Sequence, residues 1–210
     1  MDTGRRYGWT GKLLEVDLSE RTCSVRETAD YENRFIGGKG IGGKIYWDTR
    51  TQGKDAFHED SPLILMTGPL AATPAPSGSR WLICGKSPSL YPESFASANL
   101  GGSFGAQLKK AGYDGLIIKG KSCDTTYLLI SDGKLEFKRA SHLNGLPVSA
   151  TMRAIHNEAG KKAKIVTTGV GGENRVRFAT VATDAGGSGS VGFGAVMGSK
   201  NLKAIAVRGS

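Results

Sequence analysis

Cysteine is scarce in this sequence of 210 residues, and the three that occur, Cys23, Cys84 and Cys123, lie far apart. No two of them have the Cys-x-x-Cys spacing, which argues against a disulfide framework and against an autonomous zinc or iron–sulfur site. Isolated cysteines commonly serve as small hydrophobic side chains. We therefore expect the three cysteines to be buried packing residues.

Long hydrophobic runs are also missing. The longest uncharged stretch, Ser61 to Ser79, is interrupted by prolines and glycines, which excludes a transmembrane helix there. The N-terminal residues Met1 to Arg6 lead into no apolar segment, so no secretory signal is predicted. The cytoplasm is the expected compartment.

A catalytic constellation of side chains is the third absence. His58, His142 and His156 lack the sequence context of a nucleophile and its base, and carboxylates such as Glu173 stand alone among loop residues. We therefore predict no catalytic residue in this chain. Any chemistry at its site is expected to come from a cofactor.

Glycine and positive charge are the abundant features, with 31 glycines and a formal net charge of +9. Such a charge permits a nucleic acid, an anionic cofactor or an acidic protein as partner. The lysines and arginines are spread along the chain, and no nucleic-acid recognition motif accompanies them. Nucleic-acid binding is therefore the least favoured of the three.

The hydrophobic pattern predicts many short strands and few helices. Because strands and helices do not alternate strictly, an α+β domain is favoured over a doubly wound sheet. The strands are predicted at residues 14–18, 22–27, 63–67, 81–84, 114–119, 126–130, 134–137, 164–168, 175–182 and 203–208, and the main helices at about 102–111 and 148–159.

An internal repeat appears when the sequence is shifted by 89 residues: Phe104-Gly105-Ala106 then falls on Phe193-Gly194-Ala195, and Leu116-Ile117-Ile118 on Ile205-Ala206-Val207. The match predicts two similar units, at about 60–122 and 160–210, within a single domain spanning 1–210. A pseudo-twofold axis would relate the two units. Two similar units suggest two similar ligands.

Two glycine-rich loops of this repeat each precede a predicted helix, at 99–103 and 186–192. Exposed backbone N–H groups at a helix start favour an anion such as phosphate, although tight connections with small residues explain one such loop equally well. A third cluster contains the G-x-G-x-x-G pattern at Gly38, Gly40 and Gly43, but no buried strand is predicted before it, so nicotinamide binding is rejected.

Eight motifs make the chain resemble, over essentially all 210 residues, the N-terminal domain of the tungsten-dependent aldehyde:ferredoxin oxidoreductases. They are YGWTGK at 7–12, IGGKG at 36–40, TGPL at 67–70, APSGSR at 75–80, ANLGG at 98–102, KAGYD at 110–114, GEN at 172–174 and GAVMGSKNLKA at 194–204.

The resemblance implies a duplicated α+β domain whose two sheets form a base for a tungsten or molybdenum bis-pterin cofactor, each half facing one pterin. By motif position, Arg80 corresponds to a family arginine that touches the cofactor and lies toward an iron–sulfur cluster. The backbone carbonyl of Asn99 is expected to bind a Mg²⁺ ion that bridges the pterin phosphates. Leu100, Gly101 and Gly102 complete the cofactor-binding residues expected in the first half.

The second half departs from the family pattern, because many relatives carry an arginine in the loop where this chain has Ser190-Val191-Gly192. An expected side-chain contact is therefore missing. Backbone contacts from these three residues are expected instead, with the Val191 carbonyl as the second magnesium ligand.

The family's helical domains, which hold its [4Fe–4S] cluster and substrate pocket, have no counterpart in these 210 residues. We therefore expect an excised domain or a small subunit that is completed by further domains or by a partner chain. The activity that the resemblance implies is oxidation of an aldehyde to a carboxylic acid, with electrons passed through the cluster to ferredoxin. The alternative is a non-catalytic module that binds or delivers the pterin, and a homodimer is compatible with either.

Overall fold

The computed structural model describes residues 7–210, and the predictions made for Met1 to Arg6 lie outside the described residues. Within this range lie strands β1 Lys12–Asp17, β2 Thr22–Glu27, β3 Leu63–Met66, β4 Trp81–Ser87, β5 Ser94–Leu100, β6 Gly115–Lys119, β7 Thr126–Ser131, β8 Lys134–Arg139, β9 Lys164–Thr168, β10 Val181–Thr183, β11 Ser188–Gly189 and β12 Leu202–Arg208. The helices are α1 Ala29–Glu32, α2 Gly38–Asp48, α3 Phe104–Lys110, α4 Val148–Ala159, α5 Val170–Glu173 and α6 Phe193–Ser199.

The strands form two sheets of six with the same topology. The first has the order β2-β1-β6-β3-β4-β5, and the second, read in the same sense, has the order β8-β7-β12-β9-β10-β11. In each sheet one pair is parallel, β1 with β6 and β7 with β12, and all other neighbours are antiparallel. The predicted α+β class and the duplication are confirmed. Each copy includes its leading hairpin, so the copies begin earlier than residues 60 and 160.

The two sheets share one central core, and each has a second core on its outer face. Leu63 and Leu65 point into the central core, while Ile64 and Met66 of the same strand pack under α2. On the second sheet, α4 covers the outer face through Ile155 and Ala159. Because the side chains of a strand alternate between faces, burial of both faces explains why β3 is apolar throughout.

Helices α3 and α6 lie at the central core and begin at the two phenylalanines that the repeat aligns. Phe104 and Phe193 are fully buried, and the Phe104 ring lies 4.7 Å from the Trp81 ring, centroid to centroid. Helix α3 contacts β9 and β12 of the second sheet, and α6 contacts strands of both sheets. These two helices therefore join the halves.

Most strand predictions are confirmed, and three segments differ, the shortest being β11, which lies in a predicted loop. The predicted strand at 175–182 is wrong except at its end, because residues 175–179 form hydrogen-bonded turns and leave Phe178 75% exposed. Strand β5 was not predicted, since two of its three alternating apolar positions, Ala96, Ala98 and Leu100, are alanines and give only a weak pattern. It pairs with β4 along its whole length and forms an edge of the first sheet.

The three cysteines do not share one environment. Cys84 is buried, and burial raises the pKa of its thiol to about 12. Cys23 and Cys123 are exposed, so the expectation of burial is wrong for these two. Cys23 lies on the edge strand β2 and Cys123 in a connecting segment, where the core does not reach.

The third glycine cluster lies in α2 and serves close packing. A Cβ atom on Gly38 would lie 2.6 Å from the Thr67 carbonyl oxygen, and one on Gly42 would lie 2.7 Å from the Cys84 sulfur. Helix α1, not a strand, precedes the cluster, so the context of a dinucleotide-binding turn is missing. No helix in residues 7–210 is both long and apolar enough to cross a membrane.

Candidate functional site

The candidate site is a pair of cavities that share Arg80, where β4 begins and β5 ends. The first has a volume of about 250 Å³ and is lined by Ser77, Ser79, Arg80, Gly101 and Gly102. The second has a volume of about 270 Å³ and is lined by Gly37, Gly38, Lys39, Met66, Thr67, Gly68, Arg80, Trp81, Leu82 and Asn99.

The charged side chains among the residues that line these cavities are all positive. Arg80 and Lys39 are exposed cations, and the lining residues described for the two cavities include no carboxylate. Ser77 and Ser79 add hydroxyl groups, which donate or accept hydrogen bonds. A guanidinium beside hydroxyls is suited to phosphate and other planar or tetrahedral oxyanions.

Strand pairing between β4 and β5 places Arg80 beside the first glycine-rich loop. Arg80 Nη2 lies 3.4 Å from the Asn99 carbonyl oxygen, which accepts its hydrogen bond. The next residue, Trp81, donates from its indole N–H to the Gly101 carbonyl at 3.1 Å. The structure therefore brings together Arg80, Asn99 and Gly101, three residues that the resemblance assigns to the cofactor.

The two other predicted residues of the first half lie at the same loop. Leu100 is only 1% exposed and packs in the central core, so only its backbone is available to a ligand. Gly102 has a φ of +81°, a backbone conformation that favours glycine. A Cβ atom there would lie 2.7 Å from the Cβ atom of Ala185.

This contact shows that the glycine-rich loops of the two repeats meet. A Cβ atom on Gly187 would lie 3.7 Å from the backbone nitrogen of Gly101, so residues 185–187 of the second half face residues 101–102 of the first. The Thr183 hydroxyl shapes the second loop, because it accepts a hydrogen bond from the Gly187 N–H at 3.0 Å. Glycine at these positions permits an approach that side chains would block.

The structure places Ser190, Val191 and Gly192 away from this meeting point. The Val191 carbonyl accepts a hydrogen bond from the Ser87 hydroxyl at 2.8 Å, at the far end of β4. Asn99 pairs with Leu82, and Ser87 lies five residues further along the strand, a distance of about 16 Å at 3.3 Å per residue.

The Val191 carbonyl thus lies toward the other end of β4 from the Asn99 carbonyl. Gly192 instead packs between the two halves, where a Cβ atom would lie 2.2 Å from the Arg177 carbonyl oxygen and 2.6 Å from the Pro88 ring. Residues 190–192 form a joint between the halves. Ser190 is exposed there.

Sequence reasoning missed Thr183 and Ala185, although it singled out the loop that begins one residue later. The glycine pair at 186–187 was the available signal. The packing of the two sheets determines which residues of this glycine-rich loop face the other half. The local sequence does not encode that packing.

No cluster of three or more histidine, cysteine, aspartate or glutamate side chains able to hold a metal ion occurs among residues 7–210. Glu173, which was expected to stand alone, forms an ion pair with the buried Lys203 and accepts a hydrogen bond from the Gly145 N–H at 3.0 Å. This carboxylate therefore stabilises the second half of the fold.

Comparisons with known proteins agree with this architecture. The family model of the aldehyde ferredoxin oxidoreductase N-terminal domain matches residues 13–209. A tungsten-containing aldehyde ferredoxin oxidoreductase of Pyrococcus abyssi is 42% identical over 206 residues, which cover 97% of this chain and 34% of that protein. The WOR-like subunit of an aliphatic sulfonate oxidoreductase of Pyrococcus furiosus is 37% identical over 224 residues, covering 97% of this chain and 35% of the relative.

A solved structure has the same fold. It is a chain of the active site complex BamBC of benzoyl coenzyme A reductase in complex with 1,5-dienoyl-CoA, with a TM-score of 0.93 and 36% sequence identity. The match covers 97% of this chain and 31% of that one. This chain thus spans about a third of the length of the relatives it matches.

Proposed function

The chain belongs to the family of aldehyde ferredoxin oxidoreductase N-terminal domains, and from this premise we propose that it binds the pterin cofactor of a longer oxidoreductase. Tungsten-containing relatives of about 40% identity make a tungsten or molybdenum pterin the cofactor to expect. The bound metal centre would supply the two-electron chemistry that the side chains of this chain lack.

One observation supports this proposal above the others: the glycine-rich loops of the two halves meet beside a cationic surface without carboxylates. Pterin cofactors of this class are phosphate-bearing anions, so they would be attracted by Arg80 and Lys39 and not repelled by a nearby acid. The donor set of this chain therefore fits the cofactor.

The residues of the site would have different roles in binding the cofactor. Arg80 would donate to oxyanions of the cofactor, with Ser77 and Ser79 beside it. Gly101 and Gly102 would let the cofactor approach the backbone closely. We propose residues 185–187 as the contribution of the second half, in place of residues 190–192.

We keep only part of the predicted magnesium site in the proposal. Mg²⁺ prefers oxygen ligands and keeps substrate phosphates in its shell, so the Asn99 carbonyl, at the mouth of the site, would serve as one ligand. A second protein ligand would come from the loop of residues 185–187 that faces it, since the Val191 carbonyl is held elsewhere by Ser87.

We propose that the complete enzyme oxidises an aldehyde to a carboxylic acid and passes electrons through a [4Fe–4S] cluster to ferredoxin. The cluster and the substrate pocket would belong to further domains or a partner subunit. This substrate class is taken from the aldehyde oxidoreductases among the relatives, and the sulfonate oxidoreductase subunit in the same set makes it the part to test directly.

The test is elemental and pterin analysis of the complete polypeptide, purified anaerobically from its source. Tungsten or molybdenum with two pterins and about four irons per chain would support the enzyme. Pterin without metal or iron would instead support a module that carries the cofactor. A complete polypeptide without pterin would contradict the proposed function.

A further inference from the structure

A buried lysine lies behind the candidate site and has no role in the function proposed above. Lys109, in the last turn of α3, is only 8% exposed. Its ammonium donates hydrogen bonds to the carbonyl oxygens of Gly8 and of Gly68, the latter at 2.7 Å. It also lies 3.6 Å from the Asp114 carboxylate and 4.8 Å from the centre of the Trp9 ring.

Gly68 belongs to the wall of the second cavity, together with Thr67 and Arg80. Residues 67–70 form no strand or helix. The regular hydrogen bonds of a sheet or helix therefore do not fix their position. The Thr67 N–H donates to the Asp114 backbone carbonyl at 2.9 Å, which anchors the first residue of the segment. At the next residue, the Gly68 carbonyl accepts hydrogen bonds from the Lys109 ammonium and from the Ala71 N–H at 3.1 Å, and Lys109 is the donor that ties it to another element.

The same ammonium group ties the segment before β1 to this wall. The backbone N–H groups of Thr10 and Gly11 donate to the Asp114 carboxylate at 2.9 Å. A Cβ atom on Gly8 would lie 2.8 Å from the Pro69 side chain. Lys109 and Asp114 thus form one ion pair that holds residues 8–11 against residues 68–69.

Burying this charge is costly, which argues that it serves a purpose. Desolvation lowers the pKa of Lys109, although Asp114 acts in the opposite direction. An apolar side chain would pack at this position without that cost, but it would remove the charged donor from the Gly8 carbonyl and would leave the Gly68 carbonyl with the Ala71 N–H, at 3.1 Å, as its donor.

We propose that Lys109 is a positioning residue, whose ammonium fixes the Gly68 carbonyl and thereby shapes the wall of the cofactor cavity. The proposal rests on the proposed function for the identity of the ligand, but the positioning itself is measurable without the ligand. It also makes residues 8–11 part of the scaffold of the site.

The experiment compares Lys109→Met with Lys200→Met in the complete polypeptide. Lys200 is a matched control, because it is fully buried and its ammonium also donates to two backbone carbonyls, those of Glu59 and Gly120, away from the site. Hydrogen exchange of peptides covering residues 66–71, measured on cofactor-free protein, reports the order of the wall. Tungsten or molybdenum and pterin content report binding.

We expect Lys109→Met to speed exchange at residues 66–71 about tenfold or more, since hydrogen bonds from a charged donor are lost, while Lys200→Met leaves that peptide within about twofold of wild type. Lys109→Arg, which keeps a cation, is expected to restore most of the protection. The proposal is overturned if Lys109→Met leaves the peptide unchanged, or if Lys200→Met loosens it equally.

Where Lys109→Met does not fold, Lys109→Gln replaces it: faster exchange confined to residues 66–71 supports the proposal, and exchange that is unchanged there, or is equally faster in peptides far from the site, overturns it. A wild-type protein that holds no pterin would contradict the proposed function while leaving the exchange result valid. Loosened exchange with unchanged pterin retention would overturn the role of Lys109 in the cofactor site.

Discussion

Arg80 is the residue on which the cofactor proposal depends most. It borders both cavities, it is exposed, and its guanidinium lies beside the Asn99 carbonyl at the point where the two halves meet. Few other side chains at the site offer a charge-assisted hydrogen bond to an anion. Its removal therefore gives a direct prediction.

We predict that Arg80→Ala weakens cofactor retention by about tenfold to a hundredfold, the value of one to two charged hydrogen bonds. The measurement is metal and pterin content per chain during dialysis of the complete enzyme. Arg139→Ala is the control, since Arg139 is exposed on the edge strand β8 and pairs with Asp124. Equal retention in the two variants would remove Arg80 from the site.

Gly102 tests the contact between the loops. We predict that Gly102→Ala costs more stability than Gly53→Ala and also lowers cofactor retention. Both glycines have a positive φ, +81° and +82°, so both substitutions carry backbone strain of about 1–2 kcal/mol. Only at Gly102 would the new Cβ atom meet another residue, Ala185 at 2.7 Å, whereas Gly53 faces open space.

Thermal unfolding and pterin content of the two variants make this comparison. A Gly102→Ala protein that matches Gly53→Ala in both measurements would show that the approach of the two loops is not tight in solution.

At the scale of elements, residues 190–192 lie between the two halves of the fold. Ser87 at the end of β4 donates to the Val191 carbonyl, and Arg177 forms an ion pair with Glu93 nearby. The sequence offered no means to see this, because the loop before α6 is glycine-rich along its whole length. Only the packing of β4 against this loop decides which residues are engaged.

We predict that Ser87→Ala destabilises the fold by about 1–2 kcal/mol, because the partly buried Val191 carbonyl loses its donor, and that it leaves cofactor retention unchanged. Thermal unfolding and metal content measure the two effects. Loss of cofactor at unchanged stability would return residues 190–192 to the binding site.

The prediction of strands and turns from the sequence succeeded where neighbouring residues alone determine the backbone conformation. Asp132 and Gly133 both have positive φ, as the Asp-Gly hairpin signal between β7 and β8 requires. It failed at β5, Ser94–Leu100, whose alternating apolar positions are mostly alanines and which pairs with β4 along its whole length. It failed again at 175–182, where an apparent β-rich run is left exposed in turns.

At the scale of the whole molecule, Lys200 links the second half to the first through the carbonyls of Glu59 and Gly120. Desolvation lowers its pKa from 10.5 to about 8, against the opposing influence of Asp60, Glu59 and Asp17. Below about pH 8 the ammonium is charged in both the folded and the unfolded chain, so the full cost of burying it is present.

Between about pH 8 and 10.5 the folded chain has released a proton that the unfolded chain still holds, so the contribution of Lys200 to stability rises with pH, by at most about 3 kcal/mol. We predict that the unfolding temperature of the wild type rises relative to that of Lys200→Met between pH 7.5 and 9.5. A constant difference between the two proteins over this range would contradict the lowered pKa.

The sequence by itself determined the family, the α+β class and the duplication, because these depend on long motifs and on hydrophobic patterns that are read locally. Through the family resemblance it also assigned Arg80, Asn99 and the first glycine-rich loop to one cofactor, whereas the pairing of β4 with β5 that makes them neighbours was not predicted. The tertiary structure alone decided which residues of the second half meet the first glycine-rich loop.

The physical reason is that loop residues are placed by contacts distant in sequence. Residues 185–187 meet residues 101–102, and Val191 is held by Ser87, through the packing of two sheets on one core. Lys109 reaches Gly68 and Gly8 for the same reason. A glycine-rich segment has little local preference to encode such contacts, so its conformation follows from the core beneath it.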